Sequence, residues 1–309
     1  MFKKLIMAAT VASLSLASSV QAHDQKYTIG LAVANLQADF FNFIKESAEE
    51  ESSRLGYEII TVDAGGDSAK QVSQIQDLIT RRVDALIYIP AGATAADVPV
   101  RAAKKAGIPV VNVDRNTQSP PGDTFIATDS EEAARILGEY VAEVTGGKGV
   151  VGVVQGQLGT TPEIARDTGF EKALANYPGL NTVEKQASKG WHHDEGVSIG
   201  QDLLQRNPSI NVIFGRADAL AMGAAQAVRL ANLSHDVLVV GFDGDREGLI
   251  AVKQGRLAAT MTQQTKLMGR LAVRFAVDLV ENRFVPAEML LDATLTTKEN
   301  VDRFIEVHP

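Results

Sequence analysis

The segment YTIGLAVANLQADFF, residues 27–41, decides the fold. Ile29, Leu31, Ala32, Val33 and Ala34 form an apolar run without polar alternation. That is the pattern of a strand covered on both faces. The run stops at Asn35-Leu36-Gln37, and an amphipathic stretch of helical length follows over 40–55. The same pairing recurs. YEIITVD (57–63) precedes a helix over 68–82, DALIYIP (84–90) precedes one over 94–106, and PVVNVD (109–114) closes the series. Strand and helix in this alternation argue for a parallel sheet.

The pattern then begins again. KGVVGVVQG (148–156) is a strand followed by a helix over 162–177. A weaker strand surrounds 182–186, and a helix covers 194–206. INVIFG (210–215), a helix over 217–231 and DVLVVGFDG (236–244) complete the unit. Two doubly wound units of similar length emerge, a repeat of architecture and not of sequence. LAATMTQQ (257–264), a helix over 266–281 and EMLLDATL (288–295) could join either unit. TFIATDSEEAA (124–134) is the expected first crossing between them. No Pro/Gly/Ser-rich linker separates the units, so several short crossings would form a hinge, not a tether. The fold class expected is α/β, with two parallel-sheet lobes joined by a three-segment hinge. The division taken is 23–128 plus 264–291 for the first lobe and 129–263 plus 292–309 for the second.

A chain of 309 residues, 45% apolar, is long enough for two lobes of ordinary size. Residues 1–22, MFKKLIMAATVASLSLASSVQA, read as a secretory leader cleaved after Ala22. Lys3 and Lys4 precede a short apolar run, and Val20 and Ala22 suit a signal peptidase. Such a leader implies export. Its removal takes the net charge from −8 to −10. An acidic protein of this kind is a poor partner for nucleic acid or an anionic membrane. The absence of cysteine excludes a disulfide framework and a lipid-bearing cysteine at the cleavage site.

In open α/β sheets, ligands bind beyond the carboxyl ends of the strands. The residues found there are telling. Phe40 and Phe41 follow the first strand, Asp114 and Arg115 end PVVNVD, and Arg166 follows the strand over 148–156. Trp191, the single tryptophan, sits in SKGWHHDEG. Arg216 and Asp218 follow INVIFG, Asp243 ends LVVGFD, and Gln263 follows LAATMT. Asp, Arg and Gln side chains can each engage two neighbouring hydroxyls. Aromatic faces suit the C–H faces of a sugar ring. Arg115, Arg166 and Arg216 would offset Asp114, Asp218 and Asp243, so a neutral polyhydroxylated ligand is expected. Asp39 is read as an N-cap for the helix that follows it.

Taken in order, NLQADFF, VDRN, ATD, Arg166 before Gly169-Phe170, Trp191, FGRADALAMGA (214–224), VVGFDG (239–244) and ATMTQQ (259–264) resemble the periplasmic ribose-binding protein family. TTKENVDRF (296–304) resembles the tails found there. The resemblance spans essentially the whole chain after the leader. It implies a two-lobed binding protein that closes on a sugar or polyol and hands it to an ABC permease. In its closed form such a protein can also engage a chemoreceptor. A monomer without cofactor, metal or catalytic residues is implied. Its site would be Phe40, Phe41, Asp114, Arg115, Arg166, Trp191, Arg216, Asp243 and Gln263. Two positions depart from the ribose binders, where Ala38 and Ala217 replace asparagines, and Trp191 replaces a smaller ring. The particular sugar is therefore left open.

Four rival readings are weaker. His192 and His193 are adjacent and lack a second histidine cluster, so a metal site is not expected. TGGKG (145–149) precedes a strand instead of following one and is a turn, not a phosphate loop. Asp114 and Asp243 could form a hydrolase carboxylate pair, but nearby arginines are expected to hold both ionised. A sugar-sensing transcription regulator would need a DNA-binding segment where the leader stands.

Overall fold

The computed structural model describes residues 26–308, so the leader read over 1–22 lies outside the described residues. The first lobe runs β1 (Thr28–Val33), α1 (Asp39–Leu55), β2 (Glu58–Asp63), α2 (Ser68–Thr80), β3 (Ala85–Tyr88), α3 (Asp97–Lys105), β4 (Val110–Val113) and β5 (Thr124–Thr128). The second runs α4 (Ser130–Thr145), β6 (Lys148–Gln155), α5 (Thr161–Leu174), β7 (Gly179–Ala187), α6 (His193–Arg206), β8 (Val212–Gly215), α7 (Asp218–Ala231), β9 (Leu238–Val240), α8 (Arg246–Lys253) and β10 (Ala259–Thr262). The chain then returns. Helix α9 (Thr265–Val280) packs on α1, and β11 (Glu288–Leu291) joins the first sheet. Strand β12 (Thr294–Thr297) joins the second, and α10 (Val301–Glu306) packs on α8.

The sheet orders are β11-β5-β4-β3-β1-β2 and β12-β10-β9-β8-β6-β7. Side chains alternate between two apolar layers, as a doubly covered strand requires. Ile29, Leu31 and Val33 face Ile44, Ala48, Met268 and Ala272 on α1 and α9. Ala32, Leu86 and Tyr88 face Ile75, Leu78, Val100 and Ala103 on α2 and α3. In the second lobe Val151, Val153, Val212 and Phe214 pack with Leu137 and Phe170 of α4 and α5. Val154 and Ile213 pack with Leu203 and Leu220 of α6 and α7.

Two segments gain detail in the structure. Residues 124–134 hold β5, the passage at Asp129 and the first turn of α4. EMLLDATL is two strands in two sheets, β11 and β12, and β12 is antiparallel to β10. The reason is geometric. Strand β11 ends at the gap between the lobes and only two residues follow, so β12 starts at the gap and runs away from it. The chain thus passes between the sheets after β5, after β10 and after β11. Among the described residues no helix is long and apolar enough to cross a membrane.

Candidate ligand-binding cleft

A cavity of about 640 Å³ lies between the carboxyl ends of the two sheets, a size that suits a small organic molecule. The lobes meet around it. Asn116 N–H donates to Thr161 Oγ1 at 3.1 Å, and the Phe43 and His308 rings stack with centroids 4.5 Å apart. The cleft is closed.

The first lobe's half is built by one sharp turn. Strand β4 ends where Arg115 N–H donates to Val113 O at 2.6 Å, across Asp114 with φ +60°. This γ-type turn projects two neighbouring side chains toward the cavity. Arg115 is buried and anchored by backbone. Its Nη1 donates to Pro90 O at 3.0 Å and to Ala91 O at 2.9 Å. Its guanidinium carbon stands 5.4 Å from the Phe41 ring and 5.7 Å from the Trp191 ring, which belongs to the other lobe. Arg115 Nε lies 3.6 Å from Asp114 Oδ2. Phe40 and Phe41 line the cavity as a T-shaped pair and are rooted in the first lobe's core.

The second lobe's half comes from helix α5 and two connections. Arg166, on α5, reaches Asp243 with Nη2–Oδ1 3.3 Å, and its guanidinium lies 3.9 Å above the Phe242 ring. Its Nη1 donates to Arg216 O at 2.5 Å. Asp243 follows β9 with φ +130°, and Trp191 precedes α6 with φ +66°. Those values are costly for non-glycine residues, and such strain concentrates at working sites. Both side chains line the cavity.

Three sequence expectations change here. Arg216 does not line the cavity. It is fully buried and paired with Glu163 and Asp167, not with Asp218 or Asp243. Gln263 also stands behind the cavity wall. Its Nε2 donates to Asp243 Oδ1 at 2.8 Å, while its Oε1 accepts from Thr128 Oγ1 at 2.5 Å. It ties Asp243 to the end of β5. Asp39 is the first residue of α1 and not its cap, which is Ala38 without a side-chain hydrogen bond. Asp39 instead lines the cavity mouth.

The charge balance survives with fewer members. Asp218 leaves the balance as Arg216 does, because its carboxylate accepts from Thr260 Oγ1 at 2.6 Å and Gly244 N–H at 2.8 Å. Asp114 and Asp243 then face Arg115 and Arg166, two charges of each sign. Around them the exposed lining that forms the mouth is acidic, with Asp39, Asp67 and Glu247 against Lys189. The arginines do not keep the inner carboxyls at ordinary strength. Burial raises Asp114 despite Arg115 and Arg166, and burial pushes Asp243 up to about 7 despite Arg166. Each carboxyl needs hydrogen-bond donors that the protein supplies only in part.

Ala38 and Ala217 both line the cavity, where asparagines were expected in a ribose binder. Gln157, Met222, Glu195 and Asp245 line it too and were not anticipated. Gln157 lies two residues past the end of β6 and was open to the strand-end rule. Met222 and Glu195 sit inside helical runs where residue type alone gives no signal.

Residues 29–283 match the model of the periplasmic binding protein domain. The chain belongs to that family. Among its relatives is the ribose import binding protein RbsB of Bacillus subtilis, 33% identical over 275 residues, 89% of this chain and 88% of that one. A xylitol-binding protein of Mycolicibacterium smegmatis is 31% identical over 293 residues, covering 94% of this chain and 82% of its own. In structure, an ABC transporter solute binding protein of Bacillus halodurans with bound myo-inositol superposes with a TM-score of 0.84. It is 28% identical and covers 91% of this chain and 98% of its own. The family's two-lobed α/β architecture is the one described above.

Proposed function

We propose that this protein captures a neutral monosaccharide or polyol in the cleft by hinge closure and delivers it to an ABC permease. The observation that carries the reading is the balanced inner set, Asp114 and Asp243 against Arg115 and Arg166, framed by Phe40, Phe41 and Trp191. A hydroxyl-rich neutral molecule supplies donors to the two carboxylates and acceptors to the two guanidinium groups without adding charge. The acidic mouth works against sugar acids and sugar phosphates. Relatives named for ribose and xylitol, and a neighbour holding myo-inositol, support this class. Their ligands share several hydroxyls on a small uncharged carbon frame.

Phe40, Phe41 and Trp191 would sandwich the carbon frame, and Asp114, Arg115, Arg166 and Asp243 would take its hydroxyls. Gln263 would hold Asp243 from behind. Contacts from both lobes make the closed state the ligand-favoured one. The protein is a carrier in this reading, not an enzyme. The leader over 1–22 would be cleaved after Ala22 and leave a monomer in the periplasm.

A thermal-shift panel on residues 23–309 tests this. The panel holds pentoses, hexoses, polyols, inositols, sugar acids and sugar phosphates. A ligand at about 100 times its Kd adds about 2.7 kcal/mol of stability. A rise confined to neutral members supports the reading. A rise with sugar acids or phosphates alone overturns it.

A further inference from the structure

Trp191 is the single tryptophan of the chain, and it packs against the second lobe's core from a loop. Its backbone sits at φ +66°, a left-handed conformation that is unfavourable for a bulky residue. Something must hold it there. The neighbouring backbone shows what does. The Glu195 carboxylate, on the first turn of α6, accepts from Lys189 N–H at 2.7 Å, Gly190 N–H at 3.0 Å and His192 N–H at 3.0 Å. One side chain thus gathers three N–H groups on both sides of Trp191. A carboxylate receiving three backbone donors is a strong local clamp. Burial alone would raise its pKa, yet the bonds from His192, Lys189 and Gly190 outweigh burial and leave it lowered.

On the other side, the ring needs an absent side chain. A Cβ on Gly156 would lie 1.9 Å from Trp191 Cη2. Gly156 is fixed in turn, because its N–H donates to Glu163 Oε2 at 2.6 Å. The ring so held reaches both arginines of the inner set, 5.7 Å from Arg115 across the cleft and 5.6 Å from Arg166 in its own lobe.

We propose that Glu195 is a positioning residue for ligand binding: it locks the loop over 189–192 so that Trp191 stands ready as the second lobe's wall before any ligand arrives. The ligand-wall part rests on the function proposed above. The clamp part does not, and the two can fail separately. Pre-ordering matters because an unlocked loop would have to be ordered at the expense of affinity.

The test uses Glu195→Gln and Glu195→Ala in residues 23–309. Gln keeps one acceptor oxygen where Glu has two, and Ala keeps none. The first readout needs no ligand: emission and acrylamide quenching of Trp191. The expected result is a red shift and greater quenching, graded from wild type through Gln to Ala, with the cooperative melt retained. Emission and quenching unchanged in both variants would overturn the clamp. Should the Ala variant not fold, the Gln variant carries the test. The second readout is affinity for D-ribose, xylitol, D-allose and myo-inositol. For whichever of these the wild type binds, the Ala variant should bind it roughly tenfold or more weakly, with the Gln variant between. A changed emission with unchanged affinity would overturn the role in binding. If the wild type binds none of the four, the ligand-wall role falls and the emission result alone decides the clamp.

Discussion

The two halves of the cleft are built on different plans. In the first lobe, Asp114 and Arg115 are neighbours in sequence, and Arg115 is anchored by two main-chain carbonyls, of Pro90 and Ala91. Phe40 and Phe41 are rooted in the core. In the second lobe, Arg166 comes from α5 and Trp191 and Asp243 from two connections, and buried side chains stand behind all three. Glu163 and Asp167 fix Arg216, whose carbonyl holds Arg166. Glu195 fixes the Trp191 loop, while Gln263 and Arg166 hold Asp243. A site anchored by backbone tolerates change behind it. A site anchored by a second rank of buried charges does not, because losing one partner strands the other in a dry interior.

The largest effect should come from that second rank. Arg216→Met leaves Glu163, 2% exposed, without its cation. The expected cost is about 3–5 kcal/mol of stability, measured by urea unfolding, although Arg216 does not line the cavity. A loss within the range of an ordinary surface substitution would break the contrast between the halves.

Next come the two inner carboxyls, which should behave unlike one another. Asp114 is buried with Arg115 3.6 Å away, and burial already disfavours its charge. Asp114→Asn should therefore cost the free protein less than Arg216→Met does, because Arg115 keeps its bonds to Pro90 O and Ala91 O, and should weaken sugar binding by about 1.5–3 kcal/mol. Asp243→Asn should weaken binding by a similar amount and also lower stability, since it loosens both Gln263 and Arg166. Melting curves with isothermal titration separate the two cases. Equal stability losses would erase the distinction.

The pH dependence sharpens the comparison on the second lobe's side. Asp243 in the closed cleft is pushed up to about 7 by burial. An acid whose folded pKa lies above its unfolded value binds an extra proton in the folded state between those values, so it costs stability as pH rises through that window. Ligand hydroxyls donating to its carboxylate favour the ionised form. Binding should thus release a proton near pH 7, and affinity should fall by up to about tenfold per unit as pH drops below 7. Asp243→Asn should flatten that profile in titrations run from pH 5.5 to 8.

The smallest effect concerns Ala38 and Ala217. Both line the cavity. Ala38→Asn with Ala217→Asn should improve D-ribose relative to the best wild-type sugar by about 1 kcal/mol per amide gained. No change in that ratio would place the two alanines outside the selective contacts.

This contrast also explains how far the sequence could be read. Unbroken apolar runs such as YTIGLAVA revealed doubly covered strands, and the strand-end rule found Asp114, Arg115, Trp191 and Asp243 at the cavity. β5 was read as part of a crossing, and EMLLDATL was not read as two strands, because a strand beside a lobe crossing is short and has no helix of its own to mark it. Arg216 was misplaced for a related reason. Position after β8 puts it at a strand end, but whether its side chain turns to the cavity or to Glu163 and Asp167 depends on α5, which is distant in sequence. Glu195 was invisible as well, since a first-turn acid is common on any helix.

The most direct test of the account is an equilibrium titration of residues 23–309 with the sugar panel, followed through Trp191 emission. A saturable, one-to-one change with a neutral sugar or polyol, abolished in Asp114→Ala, is the expected result. A panel member that raises Tm without disturbing Trp191, or that binds Asp114→Ala as tightly as wild type, would contradict a ligand held in this cleft.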